Sequence, residues 1–143
     1  MPAKKQLNGS ADEVETAFYD AIGRADLESM MTLWAEDEEI VCIHPGAPRL
    51  IGHAAIRASW ESIFERGHVH INPIQLHATH NMVTAVHSIV EEVQHQSNEQ
   101  QDVHILATNV YVKTPHGWRI TTHHASVANG KSPIDHFKAS VLH

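Results

Sequence analysis

At Gly67 the hydrophobic pattern of this chain changes period. Upstream, apolar residues recur every three or four positions: Val14, Ala17, Phe18, Ala21 and Ile22, then Leu27, Met30, Met31 and Trp34, then Ile56, Trp60, Ile63 and Phe64. That spacing lines one side of an α-helix. Downstream, four segments rich in Val, Ile and Thr run over about 68–80, 82–96, 102–114 and 117–128, with turn-like breaks at His80-Asn81, in the polar run 96–102 and at Pro115-His116-Gly117. Helices that must each bury one stripe, followed by strands that must bury at least one face, leave one economical arrangement. It is an α+β fold, with three helices from the N-terminal half on the concave face of a curved antiparallel or mixed sheet.

Local signals place the boundaries. Ser10-Ala11-Asp12-Glu13 has the form of a capping box and starts the first helix at Ala11. Its apolar stripe turns Asp12, Glu15 and Asp20 away from the core. Asp26 caps a short second helix, and the two form a hairpin. Residues 38–46 read as a strand with His44 at its end, stopped by Pro45-Gly46 and followed by a loop from Pro48 to Gly52. A third helix runs from His53 and stops at Gly67.

With 143 residues the chain is one domain, taken as 1–128 with a flexible start over 1–9 and a tail over 129–143 whose apolar residues are Ile134, Phe137 and Val141. Ten Lys and Arg against 17 Asp and Glu give a net charge of −7, which argues against nucleic acid and anionic membrane as partners. No apolar run reaches the ~18 residues of a membrane span, and the first residues lack the apolar core of a signal peptide, so a cytoplasmic protein is expected. Cys42, the one cysteine, lies between Val41 and Ile43 and reads as a small core residue. There is no Gly-rich phosphate loop, no Gly-x-Ser-x-Gly and no His-Glu-x-x-His, so no cofactor and no bound metal are expected.

Fourteen histidines are the compositional outlier, and two are adjacent in the last strand, His123-His124. Neighbours on a strand point to opposite faces. Centring the last turn on Pro115-His116 pairs Lys113 with Trp118, Tyr111 with Ile120, Asn109 with Thr122 and Ala107 with His124. In that register Asn109, His124 and Ser126 share the inner face. His123, with Val110, Val112, Thr121 and Val127, falls on the outer face. The outer set carries enough apolar surface to suggest a homodimer that buries it.

Two motifs, "HPGAPRLIGHAAIRASWESIF" at 44–64 and "ATNVYVKTPHGWRITTHHAS" at 107–126, together with the helices before them, resemble the SnoaL-like, nuclear-transport-factor-2-like superfamily, in particular its ketosteroid-isomerase-like bacterial members. The resemblance implies a cone-shaped, cystatin-like α+β barrel with a pocket between helices and sheet, and a dimer through the outer sheet face. Members isomerise, dehydrate, cyclise, open epoxides or simply hold a ligand. The buried Asp base and Tyr/Asp donors of a steroid isomerase, and the Asp-Arg-Asp set of an epoxide hydrolase, have no counterpart in this sequence.

The resulting expectation is a pocket for a small hydrophobic molecule, in which His44 and His124 exchange protons with the ligand at near-neutral pH. Asn109 and Ser126 orient polar groups, while Trp60, Trp34 and Tyr19 line the space. Two buried histidines bonded to Asn109, Ser126 or backbone account equally for the pattern, as core packing does for the tryptophans. Of Glu91 and Glu92 one points in; it is a base with a raised pKa if buried, although a solvated strand carboxylate is the commoner outcome. A metal on His44, His124 and a third residue such as His104 is a further alternative. So is a non-catalytic module for ligand sensing or assembly.

Overall fold

Ser10 begins the first helix through its hydroxyl, which accepts the Glu13 amide at 3.1 Å ahead of α1 (Ala11–Arg24). Glu13 turns back to the amide of Gly9, not that of Ser10, at 3.2 Å. Asp26 caps α2 (Leu27–Thr32), accepting the Ser29 amide at 3.1 Å and its hydroxyl at 2.7 Å. The third helix, α3 (His53–Glu65), gives way to Gly67, whose φ of +121° suits a residue without Cβ. These elements belong to a computed structural model that describes residues 9–93 and 103–129. The polar break at 96–102, residues 1–8 of the start expected to be flexible and the tail beyond Asn129 lie outside the described residues.

Six strands form one mixed sheet in the order β2-β1-β6-β5-β4-β3. They are β1 (Val41–Ile43), β2 (Leu50–Ile51), β3 (Ile71–His80), β4 (Thr84–Val93), β5 (Val103–Thr114) and β6 (Gly117–Asn129). The last four make the expected antiparallel meander, while β1 joins β6 in parallel. The segment expected to be loop between Pro48 and Gly52 contains β2, because Leu50 and Ile51 pair with Cys42 and Val41. The sheet stays open, with β2 and β3 at its edges.

The helices pack on its concave side. Val14, Phe18 and Ile22 of α1, Met30 of α2, and Ile56 and Trp60 of α3 are buried in one core with Ile89, Ala107, Tyr111, Ile120 and Ala125 of the sheet. Cys42 belongs to this core, and burial pushes its thiol up to about 12, which makes it inert as a nucleophile at neutral pH. The α2–β1 connection is tied to the sheet by Ala35 N–H donating to Ile120 O and Ile120 N–H donating to Leu33 O, both at 2.8 Å. Among the described residues no helix is long and apolar enough to cross a membrane.

Two irregularities decide which side chains face the helices. Leu76 is extra on β3, where Gln75 pairs with Ile89 and His77 with Ser88. Thr121 is extra on β6, where Tyr111 pairs with Ile120 but Val110 pairs with Thr122. One inserted residue reverses the facing of everything beyond it. The expected pairs Lys113–Trp118 and Tyr111–Ile120 are found; past the bulge, Asn109 meets His123 and Ala107 meets Ala125.

Candidate active site

Because of that bulge, His123 and not His124 enters the protein. His123 is 3% exposed, whereas His124 is exposed on the outer face, as is Ser126. The expected pairing of His124 with His44 as proton exchangers is therefore corrected. His44, half-buried, turns inward to Ser59, and the two imidazoles lie on opposite sides of the sheet. An uninterrupted ladder keeps the phase of a strand, and a bulge is not visible in residue types alone.

The inner faces of three strands bring polar groups under α1. On β4 the inward row is Ala85, His87, Ile89 and Glu91; on β5 it includes Ala107, Asn109 and Tyr111; on β6, Ile120, His123 and Ala125. From α1, Glu15 and Tyr19 descend on this row one turn apart, and both are buried. Glu15, expected to face away from the core, is thus corrected to an interior residue. The sequence signal for it was the period-two run of His87 and Glu91, whose polar inner face needs polar partners from the helix above.

Four of these groups form a continuous chain. The Tyr19 hydroxyl donates to Glu91 Oε2 at 2.8 Å and accepts from Asn109 Nδ2 at 3.1 Å. Asn109 Oδ1 accepts from His123 Nδ1 at 2.6 Å. An amide oxygen only accepts, so the imidazole proton sits on Nδ1 and the lone pair of Nε2 is left 4.0 Å from Glu91 Oε2. Burial pushes the Glu91 carboxyl up to about 7, with the Tyr19 hydrogen bond acting the other way. Burial, aided by His44 and His124, pushes His123 down to about 3. Tyr19 is raised by burial and by the Glu91 charge. Near neutral pH the chain therefore has one group poised to change charge, Glu91, and His123 stays neutral beside it.

Aromatic rings wall this chain. Phe18 lies 4.9 Å from both Tyr19 and His123, centroid to centroid, and Trp60 packs 6.2 Å from His123. His44 meets Trp60 edge to face at 4.8 Å and donates from Nε2 to Ser59 Oγ at 3.0 Å; burial lowers its pKa. It joins the site through the wall and not through the hydrogen-bonded chain. The indole nitrogen of Trp60 is buried without a partner among the described residues. Trp34 is buried in the core at its bridge to Ile120. Of the expected lining residues, then, Tyr19, Trp60 and Asn109 assemble, and Trp34 and Ser126 do not.

Tyr19 also forms part of a surface cleft of about 340 Å³ between α1 and the start of β3, whose rim carries Asp20, Arg24 and His70 and whose apolar lining includes Ile71 and Pro73. Tyr19 thus lines this cleft and also bonds the buried carboxyl. A second polar cluster lies one helical turn earlier. Glu15 Oε1 accepts from His87 Nδ1 at 2.9 Å and from Tyr111 Oη at 2.7 Å, and Glu15 Oε2 accepts from Gln75 Nε2 at 3.2 Å. Burial alone would raise Glu15, but these donors outweigh it and hold the carboxyl below its usual value; the same contact outweighs burial at His87 and raises its pKa. The triad considered from sequence, His44, His124 and His104, is not brought together. Among the described residues the set whose ligand atoms lie within 4.8 Å of one another is Asp12, Glu15 and His87.

Residues 12–130 match the SnoaL-like domain. The chain belongs to that family. Among solved structures, this SnoaL-like domain is 33% identical to one from Thiobacillus denitrificans provisionally named a calcium/calmodulin-dependent protein kinase type II association domain, covering 86% of this chain and 98% of that one with a TM-score of 0.78. A Streptomyces avermitilis protein provisionally named a dehydratase of the NTF2-like family is 28% identical over 80% of this chain and 91% of its own, with a TM-score of 0.71. A ketosteroid isomerase-like protein from Erwinia carotovora atroseptica, 16% identical over 89% and 99% with a TM-score of 0.67, shares the fold. No curated protein matches the chain significantly. The expected superfamily and its cystatin-like α+β architecture are thereby established.

Proposed function

We propose that this SnoaL-like domain binds a small, largely apolar molecule at the Tyr19 end of the buried chain and moves a proton on it without a cofactor, as an isomerase, dehydratase or cyclase does. The observation that carries this reading is Glu91, a carboxyl 6% exposed and pushed up to about 7, hydrogen-bonded to a tyrosine that reaches a cleft. Ionised, Glu91 draws a proton in through the Tyr19 hydroxyl; protonated, it hands one back along the same bond. Asn109 holds the phenol in line, and neutral His123 offers Nε2 as a nearby acceptor. Phe18 and Trp60 exclude water, which strengthens each of these interactions. His44 and His124 have no part in the reading.

Turnover on a panel of enolisable ketones and hydroxylated polycyclic compounds tests it. Wild-type protein is expected to show activity that changes through pH 7, and Glu91→Gln to lose roughly 10²–10⁴-fold of it while keeping the fold. Activity that is flat between pH 5 and 8 and indifferent to Glu91→Gln ends the proposal.

A second reading is an assembly module, favoured by the likeness to the Thiobacillus denitrificans protein named for a kinase association domain. In it the outer sheet face joins copies of the chain and the buried polar chain is structural. Glu91→Gln then leaves ligand chemistry absent in both proteins and alters only stability.

A further inference from the structure

Beyond the proton-transfer chain, a second cleft of about 220 Å³ lies between the N-terminus of α1 and the β3–β4 turn, lined by Asp12, His80, His87 and Trp118 among others. His87 is held there in one orientation. Its Nδ1 faces Glu15 Oε1 at 2.9 Å, and Glu15 is itself fixed by Tyr111 and Gln75. A carboxylate only accepts, so Nδ1 carries a proton, and in the neutral imidazole Nε2 then holds the lone pair. That nitrogen stands 3.9 Å from Asp12 Oδ1, which also accepts from Gln75 Nε2 at 3.3 Å; the gap is wider than the roughly 3.3 Å between two ligands of a tetrahedral ion, and rotation of the exposed Asp12 side chain closes it.

From this we infer a divalent transition-metal site of the Zn²⁺ class, in which His87 Nε2 and the Asp12 carboxylate are the protein ligands. Glu15 orients the imidazole, as carboxylates do behind metal-bound histidines. His80 sits on β3 diagonally across from His87, since Ala78 pairs with His87 and His80 with Ala85, and it is exposed at the same cleft. Its side chain is the third ligand, swinging in when the ion arrives, and water completes the shell. Nitrogen and carboxylate donors in this ratio suit Zn²⁺, Co²⁺ or Ni²⁺ better than Ca²⁺, which takes oxygen ligands.

Two arrangements account for the same triad: a bound cation, or a protonated His87 lying between two carboxylates. They differ in what Asp12 does. In the second it is an exposed side chain of little consequence; in the first it is one of three protein ligands.

The experiment uses the full chain, stripped with a chelator and titrated with Zn²⁺ by calorimetry and with Co²⁺ by visible absorption. Because 14 histidines offer weak surface binding, the comparison with Asp12→Asn, His80→Ala and His87→Gln decides. Asp12 and His80 are exposed, so their variants keep the fold even if His87→Gln does not. One saturable equivalent per chain, weakened roughly 10-fold or more by Asp12→Asn and by His80→Ala, with a Zn²⁺-dependent rise in melting temperature that Asp12→Asn loses, is the expected result. No saturable equivalent, or one whose affinity and thermal shift are the same in Asp12→Asn as in wild type, overturns the site.

Discussion

At the scale of single residues, the buried titratable groups set opposing pH dependences. Glu91 has its folded pKa raised to about 7, so between about 4.5 and 7 the folded state holds a proton that the unfolded chain has released. Stability then falls as pH rises through that window. His123 works the other way: lowered to about 3, it makes the fold lose stability as pH falls from about 6.5. Relative to Glu91→Gln, the wild-type unfolding free energy is expected to drop by on the order of 3 kcal/mol from pH 4.5 to pH 7, measured by urea denaturation. A constant difference across that range contradicts a buried, protonated Glu91. The groups facing it are Tyr19 from α1, His123 from β6 and Cys42 from β1, and none of them is expected to change charge within the window. For His87, raised by Glu15, stabilisation is present below the ordinary histidine value and is lost as pH climbs through the folded one.

Among the elements, β6 carries the decision. Its extra residue, Thr121, is the reason that Asn109 meets His123. Deleting Thr121 removes only the unpaired residue, so an unbroken ladder is expected to keep Val110 opposite Thr122 and Asn109 opposite His123. The Asn109–His123 bond is then retained. An imidazole-modifying reagent is expected to spare His123 in this variant as in wild type, read by peptide mass analysis. Labelling of His123 in the deletion variant contradicts the bulge as the device that selects the histidine. At the other end of the site, Ser10→Ala removes the cap that sets where α1 begins and is expected to cost ~1 kcal/mol with no change in His123 reactivity.

For the whole molecule, the sheet face turned away from the helices bears on association. Val86, Leu106 and Val110 lie on it half-buried, and Val127 is 52% exposed. A homodimer through this face is the expected state, and sedimentation at micromolar concentration checks it; a monomer refutes it. Since His124 lies on the same face, His124→Glu is expected to weaken association at neutral pH by placing like charges opposite each other across a two-fold. It is expected to leave the Glu91 pH dependence untouched.

Much of this molecule was readable from its residues. The change of apolar period at Gly67, the caps at Ser10 and Asp26 and the turn at Pro115-His116 are local signals, and each fixed its element without help from the rest of the chain. Their combination was enough for the fold class, and the motifs at 44–64 and 107–126 carried the resemblance to the superfamily. Some residues of the site stand out in the sequence as well, Tyr19, Trp60 and Asn109 among them, whereas alternation puts His124 inside in place of His123 and leaves Glu91 as a carboxylate more commonly solvated. What residue types did not contain was phase. Alternation along a strand states that neighbours oppose each other, never which one is inside, and a single inserted threonine inverts the answer for every position after it. Glu15 shows the same limit on a helix, where a carboxylate beside an apolar stripe reads as solvated until His87, Tyr111 and Gln75 arrive from distant strands to satisfy it. Tertiary contact alone supplies those donors, and so it alone decided which charge is buried and which histidine it meets.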